Sequence, residues 1–236
     1  MRALGRSDEA EDCFREAAEG HPGGAYEGLD LADHLMYEGE RGEARDVLSG
    51  LVDSNPDFRT RIGIRLVFLG FADQARRLLE GVLESDPDDV SARLYLARVL
   101  RDREEHDRLD ELLAPLAGRL SQDPEASFDP EDALHHAYVM ALSGRTDSCR
   151  AVRERGLQAL ETPAPGDLYE WACVSALNGD RDAALSLLER AVSLGYRDRD
   201  WMRADPDLAV LSDDPRFRSI VAPGSKTGRL SESSAP

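Results

Sequence analysis

Between residues 168 and 194 the chain reads LYEWACVSALNGDRDAALSLLERAVSL, with apolar positions recurring at steps of three and four on both sides of Asn178-Gly179-Asp180. Leu168, Trp171, Ala172 and Ser175 share one helix face before that turn, and Ala184, Leu188 and Ala191 share one after it. The pattern predicts two amphipathic helices, A and B. Ala172 and Ala184, seven residues before and five after Gly179, let the two backbones approach closely. Gly179 supplies the positive φ that ends helix A. One hairpin cannot bury both of its apolar faces, so the pattern predicts stacked neighbours of the same kind.

The same spacing recurs. A glycine followed five residues later by alanine occurs at Gly5/Ala10, Gly39/Ala44, Gly70/Ala75 and Gly179/Ala184, and in weaker form as Gly144/Cys149 and Glu104/Leu109. The second members step by 34, 31, 34, 40 and 35 residues. A small residue seven before the turn recurs as Ala32, Gly63, Ala97, Ala137 and Ala172, and Pro22, Pro56 and Pro87 stand where helix B must stop. With these marks residues 1–198 resemble the tetratricopeptide repeat family, most closely at 56–89 with Gly63, Gly70, Ala75, Leu79 and Pro87. Departures are Leu109 for a small residue, Arg153 for an apolar one, and Ser121, Glu161 and Tyr196 for proline.

The resemblance implies an all-α, right-handed α-solenoid of about five and a half stacked hairpins: a half repeat at 1–22, then repeats at 25–58, 59–89, 90–123, 130–163 and 165–198. Most of the first helix of the half repeat is missing, so a homodimer through residues 8–20 is expected, or a chain that continues upstream as part of a larger multidomain protein. Pro115 is expected to kink its helix, and 121–130 to bend the array. Asp205-Pro206 and Asp214-Pro215 are each a capping acid followed by a first-turn proline. Residues 199–221 therefore resemble the segment that closes many bacterial arrays of this family, covering the last hairpin with Trp201 as its large contact. Residues 222–236 read as a disordered tail.

Charge narrows the partner. The formal net charge is -18, and all but Lys226 of the 29 basic residues are arginine. Such a chain repels phosphate backbones and anionic lipid, so neither nucleic acid nor a membrane is an expected partner. Cys13, Cys149 and Cys173 fit neither a disulfide framework nor metal-ligand spacing, and without a secretion signal the cytoplasm is the expected compartment. No metal, cofactor or catalytic set is expected. His135 and His136 are adjacent and point about 100° apart on a helix, and the run Arg103 to Asp107 lacks a second histidine.

In the family the helix A series lines a concave groove. By spacing from each turn it carries Leu29, Asp33 and Met36; Thr60, Ile64 and Val67; Leu94, Arg98 and Arg101; Leu134, Tyr138 and Ala141; Tyr169, Cys173 and Ala176. Arg61, Arg98 and Arg101 form an expected basic spot. The reading is a non-catalytic scaffold holding a partner peptide or helix there, with an acidic end against the arginines. The alternatives are a peptide or small-ligand sensor, and side chains that only complete packing between hairpins. Lys and Asn do not occupy the inner positions, so the clamp one branch of the family uses on chaperone tails is not expected.

Overall fold

The computed structural model describes residues 24–120 and 130–222, which hold helices and no strand. Five helix pairs follow one another: α1 (Ala25–Glu38) with α2 (Arg41–Leu51), α3 (Arg59–Phe68) with α4 (Ala72–Ser85), α5 (Val90–Asp102) with α6 (His106–Leu120), α7 (Pro130–Leu142) with α8 (Thr146–Ala159), and α9 (Pro165–Leu177) with α10 (Arg181–Ser193). Then come α11 (Arg199–Ala204), a 3-10 turn at Pro206–Leu211 and α12 (Pro215–Val221). Each pair packs on itself, and the first helices of successive pairs meet, α3 on α5, α5 on α7 and α7 on α9. The fold is an all-α solenoid of stacked hairpins. The expected half repeat at 1–22 with its dimer contact, the expected bend at 121–129 and the expected tail beyond Ala222 lie outside the described residues.

One left-handed residue closes each hairpin. Gly39, Gly70, Gly144 and Gly179 have φ of 89°, 79°, 68° and 80°. At the first turn the Gly39 N–H donates to the Met36 carbonyl at 3.2 Å and the Glu40 N–H to the Leu35 carbonyl at 2.8 Å. At the fifth, Gly179 donates to Ala176 at 3.0 Å and Asp180 to Ser175 at 2.8 Å. Two orphan carbonyls of helix A are thereby satisfied, and the chain reverses at once into helix B. The third turn has no glycine yet makes the same bonds, Glu104 to Arg101 at 2.9 Å and Glu105 to Leu100 at 3.0 Å, with Glu104 at φ 60°. A side chain in that region is strained by roughly 1–2 kcal/mol.

The small positions lie where helices cross. Ala32, Gly63, Ala97, Ala137 and Ala172 on the first helices, and Ala44, Ala75, Cys149 and Ala184 on the second, are all buried. Cys149 donates its thiol to the Ala137 carbonyl at 3.5 Å, directly across the hairpin. Leu109 is buried at the same register, so the third pair holds a leucine where the others hold a small residue.

The fourth hairpin explains its own departure. Arg153 occupies the register of the buried Leu48, Leu79, Leu113 and Leu188, and its Nη1 donates to Asp180 Oδ2 at 2.8 Å and Ser175 Oγ at 3.3 Å. Arg150 Nη2 reaches the same carboxylate at 2.6 Å. Nearly one turn beyond Arg153 is Gly156, whose missing side chain makes room for Trp171: a Cβ there would stand 2.3 Å from the ring. Trp171, only 1% exposed, supplies the volume that leucine supplies elsewhere.

Arginine also links consecutive hairpins. Arg41 donates from Nη2 to the Leu69 carbonyl at 2.7 Å, and Arg76 Nη1 meets Glu105 Oε1 at 2.7 Å, as Arg150 and Arg153 meet Asp180. Each joins a second helix to the turn of the following pair. The solvent-screened pairs among them, Arg76 with Glu105 and Arg150 with Asp180, contribute at most about 1 kcal/mol each, so they fix register more than they hold the fold.

Glu104→Gly is expected to stabilise the protein by about 0.5–1 kcal/mol and Gly179→Ala to destabilise it by about 1 kcal/mol, because the two residues share one left-handed conformation. Urea denaturation of both variants checks this. Changes of the same sign would mean the third turn is built differently.

Candidate functional site

The face made by α1, α3, α5, α7 and α9 is concave, and the end segment proves it by its reach. α11 packs on α1, while the 3-10 turn at Pro206–Leu211 packs on α9. In a straight row at 8–10 Å per neighbour those two helices would stand about 32–40 Å apart. Residues 199–211, in helical form, rise only roughly 20 Å. The row must therefore curve around the segment.

This placement differs from the expected cap. The 3-10 turn, on α9 and α10, and α12, on α10, cover the last hairpin, while α11 reaches on to α1. Trp201 instead lies against Phe68 of α3, ring centroids 4.4 Å apart, with the Arg65 guanidinium 5.8 Å from its centre. The reason is the run of caps: Asp198 accepts from the Trp201 N–H at 2.9 Å and Asp205 from the Asp207 N–H at 2.9 Å, breaking the segment into short turns that follow the curve.

At the centre is a buried polar cluster. Arg98 on α5 is 4% exposed and grips Asp207 with both arms, Nε to Oδ1 at 2.8 Å and Nη2 to Oδ2. Its guanidinium also lies 4.1 Å from the Tyr95 ring centre and 4.8 Å from that of Tyr138. Burial opposes the charge on Arg98 and Asp207 reverses that, so the guanidinium stays charged. Tyr138 donates to Glu170 Oε2 at 2.9 Å, and Tyr169 donates to Asp205 Oδ2. Cys173 reaches that same oxygen at 3.4 Å. Burial, then the neighbouring Asp207 charge, raises the Asp205 carboxyl to about 7, and burial raises Glu170 as well.

The residues expected to bind a partner fall into three groups. Leu29, Leu94, Tyr138 and Tyr169 are buried, as are Ala141, Cys173 and Ala176. Met36, Ile64, Val67 and Leu134 are half-buried. Asp33 faces the groove but is gripped by Arg65, Nε to Oδ1 and Nη2 to Oδ2 both at 2.7 Å, while Thr60 donates to Asp89 Oδ2 at 2.6 Å. The three arginines do not act alike. Arg98 is inside and engaged, Arg101 lies half-buried beside Asp102 at 3.4 Å, and Arg61 is exposed, 5.7 Å from the Tyr26 ring centre and 5.3 Å from that of Phe58. Sequence reasoning missed Arg65, Phe68, Tyr95, Glu170 and Asp207. Asp205 reads as a helix cap, which gives no hint of a second partner, and Asp207 follows it as one more surface acid.

Cys173 Sγ and one oxygen each of Asp205 and Asp207 lie within 4.8 Å of one another, yet the group does not fit a cation. Arg98 holds both oxygens of Asp207, Tyr169 and Cys173 point donors at Asp205, and burial keeps the Cys173 thiol protonated.

The raised Asp205 carboxyl makes stability pH-dependent with a definite sign. Between its ordinary value of 3.8 and about 7 the folded chain holds a proton that the unfolded chain has released. Stability is therefore expected to fall as pH rises from 5 to 7.5, by on the order of 1 kcal/mol or more. Asp180, lowered to about 2 by its hydrogen bond from Arg150, loses its contribution only below this range. Urea melts at both pH values check it: Asp205→Asn flattens the slope, leaving the parts due to Glu170 and Asp33, which burial also raises, and the opposing part due to His136, which burial lowers; an unchanged slope would remove Asp205 as its cause.

Residues 60–108 match the family described as Tetratricopeptide repeat. A solved tetratricopeptide repeat protein from Parabacteroides merdae ATCC 43184 is similar to 84% of this chain over 75% of its own length, at 19% identity and a TM-score of 0.55. At that identity the likeness concerns the fold alone. YrrB, described as a TPR protein with an unusual peptide-binding site, matches 81% of this chain and 96% of its own at 16% identity, with a TM-score of only 0.40. No curated protein matches. Residues 60–108 thus match the tetratricopeptide repeat family, and the repeated left-handed turn with buried small residues at most helix crossings gives the other described hairpins the same stacked build.

Proposed function

We propose that the protein is a non-catalytic scaffold whose concave face takes an extended peptide or helix from a partner protein, with acidic side chains of the partner toward arginine. One observation carries this reading: the face already holds a stretch of polypeptide, residues 199–211, through an aromatic side chain on Phe68 and a carboxylate on Arg98. A surface that organises its own chain in this way has the pockets and the charge to organise another.

The part left uncovered is the mouth at the start of α1 and α3. Tyr26 is 62% exposed and meets Phe58 edge to face at 4.9 Å, with Arg61 over both rings. Exposed aromatic and arginine side chains in one patch favour a protein partner. The net charge of -18 disfavours nucleic acid and anionic lipid, and no described helix is long and apolar enough to cross a membrane.

A photo-cross-linking amino acid at position 26 tests this reading in the source cell. The expected result is a discrete cross-linked protein, reduced at least tenfold by Arg61→Glu, with little product from the same probe at the exposed Glu84. Equal cross-linking at both positions, insensitive to Arg61→Glu, would rule out the mouth as the contact.

A further inference from the structure

Residues 198–211, DRDWMRADPDLAVL, lie along the concave face as a ligand would. Trp201 rests on Phe68, Met202, Leu208 and Leu211 are buried among apolar side chains, and the carboxylates four and six residues after the tryptophan meet Tyr169 and Arg98. The polar part of this seat is unnecessary for packing alone. Burying a charge pair carries a desolvation penalty that its attraction barely offsets, and an apolar pair of the same volume would hold the segment as well or better. What Arg98 adds is selection: only a carboxylate at that place leaves it satisfied.

We propose that this segment is an exchangeable occupant of the groove, and that the partner is a peptide carrying an aromatic residue followed, four and six positions later, by carboxylates. The proposal rests on the scaffold reading and adds the chemistry of the partner and the manner of its entry. The partner seats its aromatic ring on Phe68 beneath Arg65 and one carboxylate on Arg98, and α11 with the 3-10 turn leaves. Because the resident segment is tethered, it competes at an effective concentration of roughly millimolar. An entering peptide therefore binds weakly unless it also engages the uncovered mouth at Tyr26, Phe58 and Arg61.

The two tryptophans make the exchange readable in the unaltered full chain. Trp171 is buried in the fourth and fifth hairpins, whereas Trp201 belongs to the segment that leaves. The probe is a synthetic peptide of residues 197–212 carrying Trp201→Phe, titrated into wild-type protein. The expected result is a saturable red shift of tryptophan emission, and a control peptide also carrying Asp205→Asn and Asp207→Asn should need at least tenfold more. In the full chain with Trp201→Ala, a fluorescein-labelled copy of the unsubstituted peptide should bind at least tenfold more tightly than to wild type.

No shift up to millimolar peptide, together with no binding to Trp201→Ala protein of native circular dichroism, would overturn the proposal. So would a shift indifferent to the two acids. Peptide-free exchange that grows with protein concentration and accompanies dimers in light scattering would assign the segment to a second copy and equally overturn it. Cross-linking from position 26 that persists in any of these cases leaves the scaffold reading standing while the exchange falls.

Discussion

Everything in this chain depends on reversing a helix within two residues. Once in each of the five hairpins, and again at Gly195 after the last, a residue in the left-handed region donates its N–H three residues back while its successor donates five back. That geometry fixes where helix B starts relative to helix A. It thus places the buried residue five positions after the turn, small in every hairpin but the third, against the small one seven positions before it. Close crossing follows, and with it the flat apolar sides by which one pair stacks on the next. Glu104 illustrates the strength of the demand: the third turn keeps the conformation even where no glycine eases it.

Stacking of this kind produces a curved row, and a curved row has an inside that must be filled by solvent, partner or the chain itself. Here the chain fills it. The contact between Arg98 and Asp207 joins residues 109 apart and carries the end segment across the first helices of the hairpins. Arg65, held on Asp33 of the preceding hairpin, sets the other wall against Trp201. The solenoid is consequently tied across its opening as well as along its length, and the groove is legible as a binding surface because it is already occupied.

How far the sequence discloses this differs by level. The hairpins are written in short-range spacing, which a reader of Gly179, Ala172 and Ala184 can extend to the whole chain. Even the departures have local grammar: Arg153 and Gly156 exchange roles with Trp171, a substitution visible as large for small once the crossing is known. The groove is different. Arg98 reads as one of several arginines on a helix face, Asp205 reads as the cap of a following turn, and Asp207 has no local pattern to mark it. Nothing within a repeat period connects them, since the distance that matters depends on the curvature accumulated over four hairpins. The expected basic spot of Arg61, Arg98 and Arg101 fails for the same reason. Spacing assigns a face, but only the closed structure decides which arginine on that face still meets solvent.

The interior of the groove has its own charge problem. Glu170 from α9 and Asp205 and Asp207 from the end segment converge on Arg98, three carboxyls around one guanidinium, with Tyr138, Tyr169 and Cys173 as the remaining polar neighbours. In a site of low dielectric this excess of negative charge is not sustained. Burial first, and the Asp207 charge after it, displace the Asp205 and Glu170 carboxyls upward, in the direction that relieves this excess. The same balance tells which contact anchors the segment. Asp207 has the arginine to itself, while Asp205 shares hydroxyl, thiol and backbone donors that serve either protonation state less completely. Any occupant must likewise bring a carboxylate for Arg98, and a second acid in the place of Asp205 is held there only with its carboxyl displaced upward, as the resident one is.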